Sequence, residues 1–267
     1  MSQLLPAALI WVLLFGFGLI IGSFLNVVIA RVPAGQSVVN PPSACPRCHN
    51  TIRPYDNIPV ISWLVLRGKC RDCGLPISSR YPIVELTTGI LFVLMGWRFG
   101  LSAELPAYLY LAAAGLALAV IDLDTQRLPN ALTLPSYAVG GVLLLIPAVV
   151  DGKWDTYLQA WLGALLLFLL YFALAWIYPA GMGLGDVKLA GVLGLYLAWL
   201  GWGSLLVGAF LGFLLGAVVG VALMLAKKAG RKSRIPFGPF MLAGALLAIL
   251  WGRVLADGYA QWFLGAS

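Results

Sequence analysis

The sequence predicts an all-α integral membrane protein with about eight transmembrane helices and a cytoplasmic, zinc-stapled loop between the first two. Three observations predict this fold class. Of the 267 residues, 61% are hydrophobic and only 10% are charged, which excludes a water-soluble globule. Long uncharged runs recur along the chain and suit helices that cross a bilayer core of about 30 Å. All the cysteines lie in one polar stretch after the first of these runs.

The uncharged runs between successive charged residues give the spans in order. A helix that crosses the bilayer core needs about 20 apolar residues. Residues 189–226 are long enough for two short helices that fold back at the LGWG segment, residues 200–203. The predicted spans are residues 1–30, 86–97, 105–121, 128–150, 156–185, two within 189–226, and 235–252.

The distribution of Lys and Arg predicts an N-terminus outside the cytoplasm, because these cations are retained on the cytoplasmic side. Residues 31–80 then hold seven cytoplasmic cations and residues 227–234 hold five, and Arg127 and Lys188 bring the total to 14 of 17. The N-terminal run lacks the basic start of a cleaved signal peptide, so the first span is expected to be retained. Basic loops beside an anionic leaflet explain the net charge of +7, so membrane lipid is an expected partner and nucleic acid is not.

Residues 31–82 are polar and rich in Pro and Arg, and they are predicted to form the soluble part of the protein. The chain is therefore divided into a first transmembrane helix, residues 1–30, a cytoplasmic zinc-binding loop, residues 31–82, and a helical membrane domain, residues 83–267. The sequence predicts no oligomeric state.

The four cysteines, Cys45, Cys48, Cys70 and Cys73, form CPRC and CRDC motifs in this loop. Two C-x2-C motifs separated by 21 residues suit a tetrahedral cage of thiolates around zinc. Two disulfides are the alternative, but the predicted cytoplasmic location keeps thiols reduced. Four sulfurs leave no position for a reacting water, so the zinc is predicted to be structural. His49 is interpreted as a solvated turn residue, with a role as ligand or base as the alternative.

Elimination among the ten acidic residues leaves Asp122, Asp124 and Asp186 as candidates for catalysis. Asp122 is predicted at the cytoplasmic end of the third span and Asp186 at the start of the sixth, so both lie at the same depth, whereas Asp124 faces elsewhere. Acids within reach of hydrocarbon usually face a bundle interior or a wet cavity. Two close carboxylates share one proton and act as acid and base, as in aspartic proteases. The alternative is that Asp186 only caps its helix and that Asp122 pairs with Arg127 or Lys188.

The segments around these acids are rich in Gly and Pro. The glycines within residues 181–185 allow a substrate or a neighbouring helix to approach closely. Pro129 is expected to end or bend the preceding segment. The PFGP segment, residues 236–239, is either a substrate-binding turn or the proline turn of a helix start. The other acids, among them Glu85 at the start of the second span, are assigned to loops or helix ends.

Taken together, these motifs resemble those of the type IV prepilin peptidases, membrane aspartic proteases of the GxGD class. The resemblance runs along the whole chain in order. Its segments are GSFLNVVIARVP (residues 22–33), YDNIPVISWLVLRGKCRDCG (55–74), SSRYPIVELTTG (78–89), IDLDTQRLPN (121–130), GMGLGDVKL (181–189) and IPFGPFMLAG (235–244).

The resemblance implies that Asp122 and Asp186 are the catalytic pair. It also implies that the chain cleaves the basic leader of type IV prepilins and type II secretion pseudopilins at the cytoplasmic face of a bacterial inner membrane. The complete set of cysteines fits the bifunctional members, which methylate the new N-terminal residue with S-adenosylmethionine. No G-x-G-x-x-G motif lies between a strand and a helix, so the residues that bind this cofactor are not predicted.

Two positions depart from the family pattern: Thr125 and Asn130 stand where a histidine and an acid are common, which bears on substrate preference. A single histidine nearly excludes hydrolases with Ser-His-Asp or Cys-His sites. The alternative to an enzyme is a zinc-stapled membrane scaffold or a proton-coupled transporter, in which the two acids form a proton relay.

Overall fold

Helices account for most of the residues that the structure describes. The computed structural model describes residues 4–179, 181–226 and 235–264, so the basic segment 227–234, on which part of the predicted orientation rests, lies outside the described residues. The helices are α1 (Leu4–Arg31), α2 (Ile61–Val65), α3 (Arg80–Phe99), α4 (Leu105–Thr125), α5 (Asn130–Val150), α6 (Trp154–Ile177), α7 (Leu184–Leu200), α8 (Trp202–Leu225) and α9 (Gly238–Leu264).

Within these described ranges all the helices except α2 are long, and each long helix coincides with one predicted span. Six of them, α1, α3, α4, α5, α6 and α8, are long and apolar enough to cross a membrane. α7 has 17 residues, and the apolar part of α9 is Gly238–Gly252, so for these two the spanning role stays a prediction. The chain reverses between α7 and α8 at Gly201, inside the predicted LGWG segment, where a φ of 124° favours glycine.

Several helices are longer than the uncharged runs that predicted them, among them α4, which continues past residue 121 to Thr125. α3 begins at Arg80 and not at residue 86, and α9 continues past residue 252 to Leu264. α3 accommodates an acid in its second turn because Glu85 is buried and its Oε2 accepts a 2.7 Å hydrogen bond from the backbone N–H of Val60. A charged residue therefore does not end a span when its side chain has a partner.

The chain forms two compact units, Met1–Ala117 and Leu118–Ser267, and the three-part division predicted from the sequence stays a prediction. In the first unit α1 and α3 are antiparallel and in close contact. A Cβ at Gly22 would lie 2.6 Å from Cα of Glu85. One turn further along α1, Asn26 Nδ2 donates a 3.2 Å hydrogen bond to the carbonyl of Tyr81. Small residues at such contacts let the backbones of membrane helices approach each other.

α7 lies at the centre of the second unit. It contacts α5, α6, α8 and α9, and all of its residues from Leu189 to Trp199 are buried. Glycine permits the tight contact with α6, because a Cβ at Gly194 would lie 2.5 Å from the carbonyl oxygen of Gly163. The packing therefore fixes the helix that carries Asp186 near its N-terminus.

Replacing Gly194 with Ala is expected to destabilise the protein by about 1–3 kcal/mol, because the added methyl group overlaps the α6 backbone. Thermal unfolding in detergent measures this effect as a lower midpoint. Gly258→Ala is the matched control, since a Cβ there meets no atom within 4 Å and alanine is the better helix former. Equal midpoints for the two variants would contradict the packing argument.

Candidate active site and metal centre

Asp122 lies in the last turn of α4 and is buried, with 4% of its surface exposed. Its Oδ2 accepts a 3.0 Å hydrogen bond from the backbone N–H of Gly238, the first residue of α9. The N–H groups at a helix start favour a carboxylate. A Cβ at Gly238 would lie 2.7 Å from the same oxygen, so glycine is what allows this approach. The partner of Asp122 is thus a backbone amide, in place of the Arg127 or Lys188 of the alternative prediction.

The PFGP segment, residues 236–239, holds this amide in position. Phe237 packs against Tyr171 of α6 and Phe213 of α8, with ring centroids 6.4 and 5.3 Å apart. α9 begins at the next residue. The segment is therefore a helix start, as one of the two predictions held. Its hydrogen bond to the buried aspartate was not predicted from the sequence.

Asp186 is the third residue of α7. Its Oδ2 accepts a 3.1 Å hydrogen bond from the backbone N–H of Gly183, which precedes the helix. Gly183 has no side chain to return this contact, so only one half of a capping box forms. Asp186 thus caps its helix, as the alternative prediction held. It is also half-buried, which capping alone does not require.

Leu128 touches the surroundings of both aspartates. A Cβ at Gly185 would lie 3.0 Å from Leu128 Cβ, and a Cβ at Gly238 would lie 3.4 Å from Leu128 Cδ2. The N-terminal ends of α7 and α9 therefore approach one side chain, and each has a glycine at the contact. Of the glycines predicted to allow a close approach, Gly185 does so with this leucine, while Gly181 packs against the ring of Tyr178.

Lys188 joins α7 to α5 through two hydrogen bonds. Its Nζ donates a 2.9 Å hydrogen bond to Asn130 Oδ1, and its carbonyl accepts a 2.7 Å hydrogen bond from Tyr137 Oη. Asn130 is one of the two positions that depart from the family pattern, so the cation here meets a neutral amide. Asp124 is exposed on α4, as expected for a residue that faces away from Asp122.

The four cysteines surround one centre. Their thiols are free, and the sulfur atoms all lie within 4.8 Å of one another. The distance between Cys45 Sγ and Cys73 Sγ is 3.9 Å. A tetrahedral site with Zn–S bonds of about 2.3 Å requires sulfurs about 3.8 Å apart. The donor set and its spacing therefore fit one metal ion better than two disulfides.

Two similar turns build the cluster. In each, the residue four places after the first cysteine donates its N–H to that cysteine's carbonyl, His49 to Cys45 at 2.9 Å and Gly74 to Cys70 at 2.9 Å. His49 and Gly74 have positive φ angles, 61° and 69°. His49 thus occupies the same turn position as Gly74 and is exposed, which agrees with its interpretation as a turn residue.

Hydrogen bonds shift the pKa values of thiols and of a carboxyl group in the cysteine loop. The backbone N–H groups of Cys48 and Arg47 lower the pKa of Cys45 to about 6, whereas burial and the neighbouring thiols raise the pKa of Cys48 to about 11 and also raise that of Cys73. Arg71 binds Asp56 through Nε–Oδ2 and Nη2–Oδ1 distances of 2.8 and 2.6 Å, and this hydrogen bonding lowers the pKa of Asp56. The pair is at the surface, so its contribution to stability is small.

Glu85 is a buried acid that the elimination from sequence set aside. It is 7% exposed, and it accepts hydrogen bonds from the Val60 N–H and from the side chain of Ser23. Val60 has a φ of 62°, which is rare for a β-branched residue. The carboxylate thus joins α1, α3 and the cysteine loop. Glu85 directly precedes an apolar run in the sequence, and this position could have identified it as a candidate for a buried acid.

A cavity of about 620 Å³ lies beside α1 in the first unit. One wall is the face of α1 with Phe24 and Arg31, and the opposite wall includes Asn57 of the loop. Sites for small molecules measure roughly 300–1,000 Å³. An aromatic ring, a guanidinium and an amide are groups that bind a flat ring, a carboxylate and a nucleobase edge. These residues could therefore hold an organic cofactor.

Two family models match the chain. The bacterial peptidase A24 N-terminal domain matches residues 16–99, and the type IV leader peptidase family matches residues 109–221. The first match covers the cysteine cluster and Glu85, and the second covers both aspartates. No solved structure matches the chain.

Three similar relatives are each named prepilin leader peptidase/N-methyltransferase. The protein of Aeromonas hydrophila is 39% identical over 94% of this chain and 93% of its own length. That of Stutzerimonas stutzeri is 37% identical over 91% of each chain, and that of Bacillus subtilis is 35% identical over 95% of this chain and 99% of its own length. By these matches the chain belongs to the type IV leader peptidase family.

Proposed function

We propose that the protein removes the leader peptide of prepilins and then methylates the residue that cleavage exposes. The observation that carries this proposal is that Asp122 and Asp186, far apart in the chain, lie in one helical unit, where the starts of α7 and α9 beside them contact the same side chain, Leu128. The name of the relatives includes both chemistries. Pseudopilins of type II secretion are proposed as further substrates, because the resemblance of the motifs extends to them.

The two aspartates act as a dyad that shares one proton. One carboxylate takes a proton from the attacking water, and the other carboxyl group protonates the leaving amine. The N–H groups of Gly238 and Gly183 hold one oxygen of each side chain. These contacts fix the direction of both carboxylates and leave the second oxygen of each for water and substrate.

A membrane scaffold or a proton relay is less well supported. A relay needs acids that can pass protons between the two faces of the membrane. Among the described residues the buried acids are Glu85, in the second turn of α3, and Asp122, in the last turn of α4. Neither lies at the middle of its helix, where a relay would need one.

The cysteine cluster binds a structural zinc ion. Four sulfurs at this spacing fill a tetrahedral site and leave no position for water, so the metal takes no part in cleavage. It holds together the two turns, which the Arg53–Asp72 ion pair also joins. This is the ordinary function of zinc in a small loop without a large core.

S-adenosylmethionine is the methyl donor, and the cavity beside α1 is its site. When bound, it supplies an activated methyl group. Arg31 suits its carboxylate, Asn57 the edge of its adenine and Phe24 the adenine face. Arg31 Nη1 already donates a 3.0 Å hydrogen bond to the carbonyl of Ser37, which orients the guanidinium and leaves other N–H groups for the ligand.

The protein is placed in a bacterial cytoplasmic (inner) membrane with its N-terminus outside. Six apolar helices make it a membrane protein. The basic cysteine loop supports the orientation, since such loops are retained in the cytoplasm. In this orientation the loop, the end of α4 and the start of α7 face the compartment in which a basic leader lies.

Changing Asp122 or Asp186 to Asn is expected to slow leader removal at least about 100-fold, because each change removes one partner of the acid–base pair. Cleavage of a purified prepilin by the enzyme in detergent measures the rate. Asp124→Asn is the matched control, an exposed acid on the same helix, and it retains the activity. Normal processing by either dyad variant would favour the relay.

Changing Cys70 to Ser is expected to release the metal and abolish methylation while leader cleavage continues, because the aspartates belong to the other unit. Metal content per chain and the two activities are measured on the same preparation. His49→Asn is the control, since Asn also tolerates a positive φ and no ligand is lost. Full metal content in the cysteine variant would be evidence against the site.

Arg31→Gln is expected to raise the KM for the methyl donor at least about tenfold, since a hydrogen bond to a charged group contributes about 1.5–3 kcal/mol, and Asn57→Ala several-fold, since a neutral hydrogen bond contributes about 0.5–1.5 kcal/mol. Leader cleavage stays unchanged. Arg47→Gln is the control for charge, because Arg47 is an exposed cation of the same loop. An unaltered KM in both test variants would place the donor elsewhere.

A further inference from the structure

The short helix α2 in the cysteine loop exposes most of its apolar side chains. Ile61, Leu64 and Val65 are 56%, 60% and 69% exposed. The other two residues hold the helix to the loop: Ser62 is buried, and Trp63 Nε1 donates a 3.2 Å hydrogen bond to the carbonyl of Ile77. A clustered apolar surface of this kind marks an interaction site.

The contact between Val60 and Glu85 sets the depth of α2. Val60 directly precedes α2, and its N–H binds the carboxylate of Glu85 at 2.7 Å. α3 has 20 residues, about 30 Å, which is just enough to cross the hydrocarbon core. Glu85 is five residues inside the first residue of α3, or about 7.5 Å along its axis. α2 therefore starts level with the spanning part of α3 and not beyond its end.

The packing against α1 agrees with this depth. Ser23 of α1 binds Glu85, and α1 continues for two more turns to Arg31. Asn57 and Pro59 of the loop face this inner part of α1 across the cavity. The loop thus folds back along the ends of both membrane helices before α2 begins.

Two cations follow the apolar residues of α2 in the chain. Arg67 and Lys69 are exposed, and Gly68 between them packs against Trp63, with 2.9 Å from a Cβ position to Cζ2 of the ring. Apolar side chains next to Lys and Arg are typical of helices that lie in a membrane interface, where the cations meet anionic headgroups.

We propose that α2 is an interfacial anchor: Ile61, Leu64 and Val65 insert among the lipids of the leaflet on the side of the cysteine loop, and Arg67 and Lys69 meet the phosphate groups. The occupant of this face is the phospholipid bilayer. The anchor holds the cysteine cluster against the membrane surface. This inference rests on the spanning role of α1 and α3 and is independent of the catalytic proposal.

The test places the photoreactive residue benzoylphenylalanine at Leu64 of the full chain, reconstituted in vesicles of phosphatidylethanolamine and tagged phosphatidylglycerol. After illumination, tagged lipid attached to the protein is measured by mass spectrometry. Labelling at Leu64 is expected to equal that at Leu13 of α1, which is similarly exposed at 62%, and to exceed that at Ile52 in the first cysteine turn several-fold.

A second variant at Val65 controls for a local disturbance at Leu64, and the midpoint of thermal unfolding in detergent shows that each variant has folded. Labelling of both positions at no more than the level of Ile52 would overturn the proposal. Attachment to a second copy of the chain, or to a prepilin added to the vesicles, in place of lipid would overturn it as well.

Discussion

The hydrogen bond from the Gly238 amide to Asp122 is the contact on which the proposed active site depends. A carboxylate among membrane helices is costly unless it has a partner, and here the partner is the first N–H of α9. That amide reaches the oxygen because glycine has no side chain, and it stays there because Phe237 packs between α6 and α8. The direction of one side chain on α4 is thus fixed by the packing of three other helices.

Backbone amides bind the carboxylates of Asp122, Asp186 and Glu85. Asp186 accepts from Gly183, and Glu85 accepts from Val60, while the cation partners of Asp56 and Asp72 are found in the loop. The difference matters for proton chemistry. An arginine beside the proposed dyad would stabilise both carboxylates in the ionised form, whereas a neutral amide orients each group and still allows the pair to share a proton.

The lengths of the uncharged runs between charged residues predicted the long helices, because the length of an apolar run can be read from the local sequence. It misplaced the start of α3, because the partner that lets Glu85 enter the helix, the amide of Val60, is distant in the chain. The cysteine cluster was predictable from spacing, and the two aspartates were selected by their position at helix ends. The contribution of Gly238 was not predictable, because a backbone amide has no sequence signature and glycine shows only that something comes close. The turn role of His49 emerged from its φ angle, which matches that of Gly74 in the second motif.

The residues proposed for the two reactions lie in separate units of the chain. Asp122 and Asp186 belong to one unit, and the cysteine cluster, Glu85 and the cavity beside α1 belong to the other. Cleavage needs a water molecule at the proposed dyad, whereas methyl transfer needs a free amine beside the methyl donor. That amine exists only after the leader has been removed, so cleavage comes first and methyl transfer second. Because the two proposed sites share no residue, the chemistry of one step places no requirement on the residues of the other.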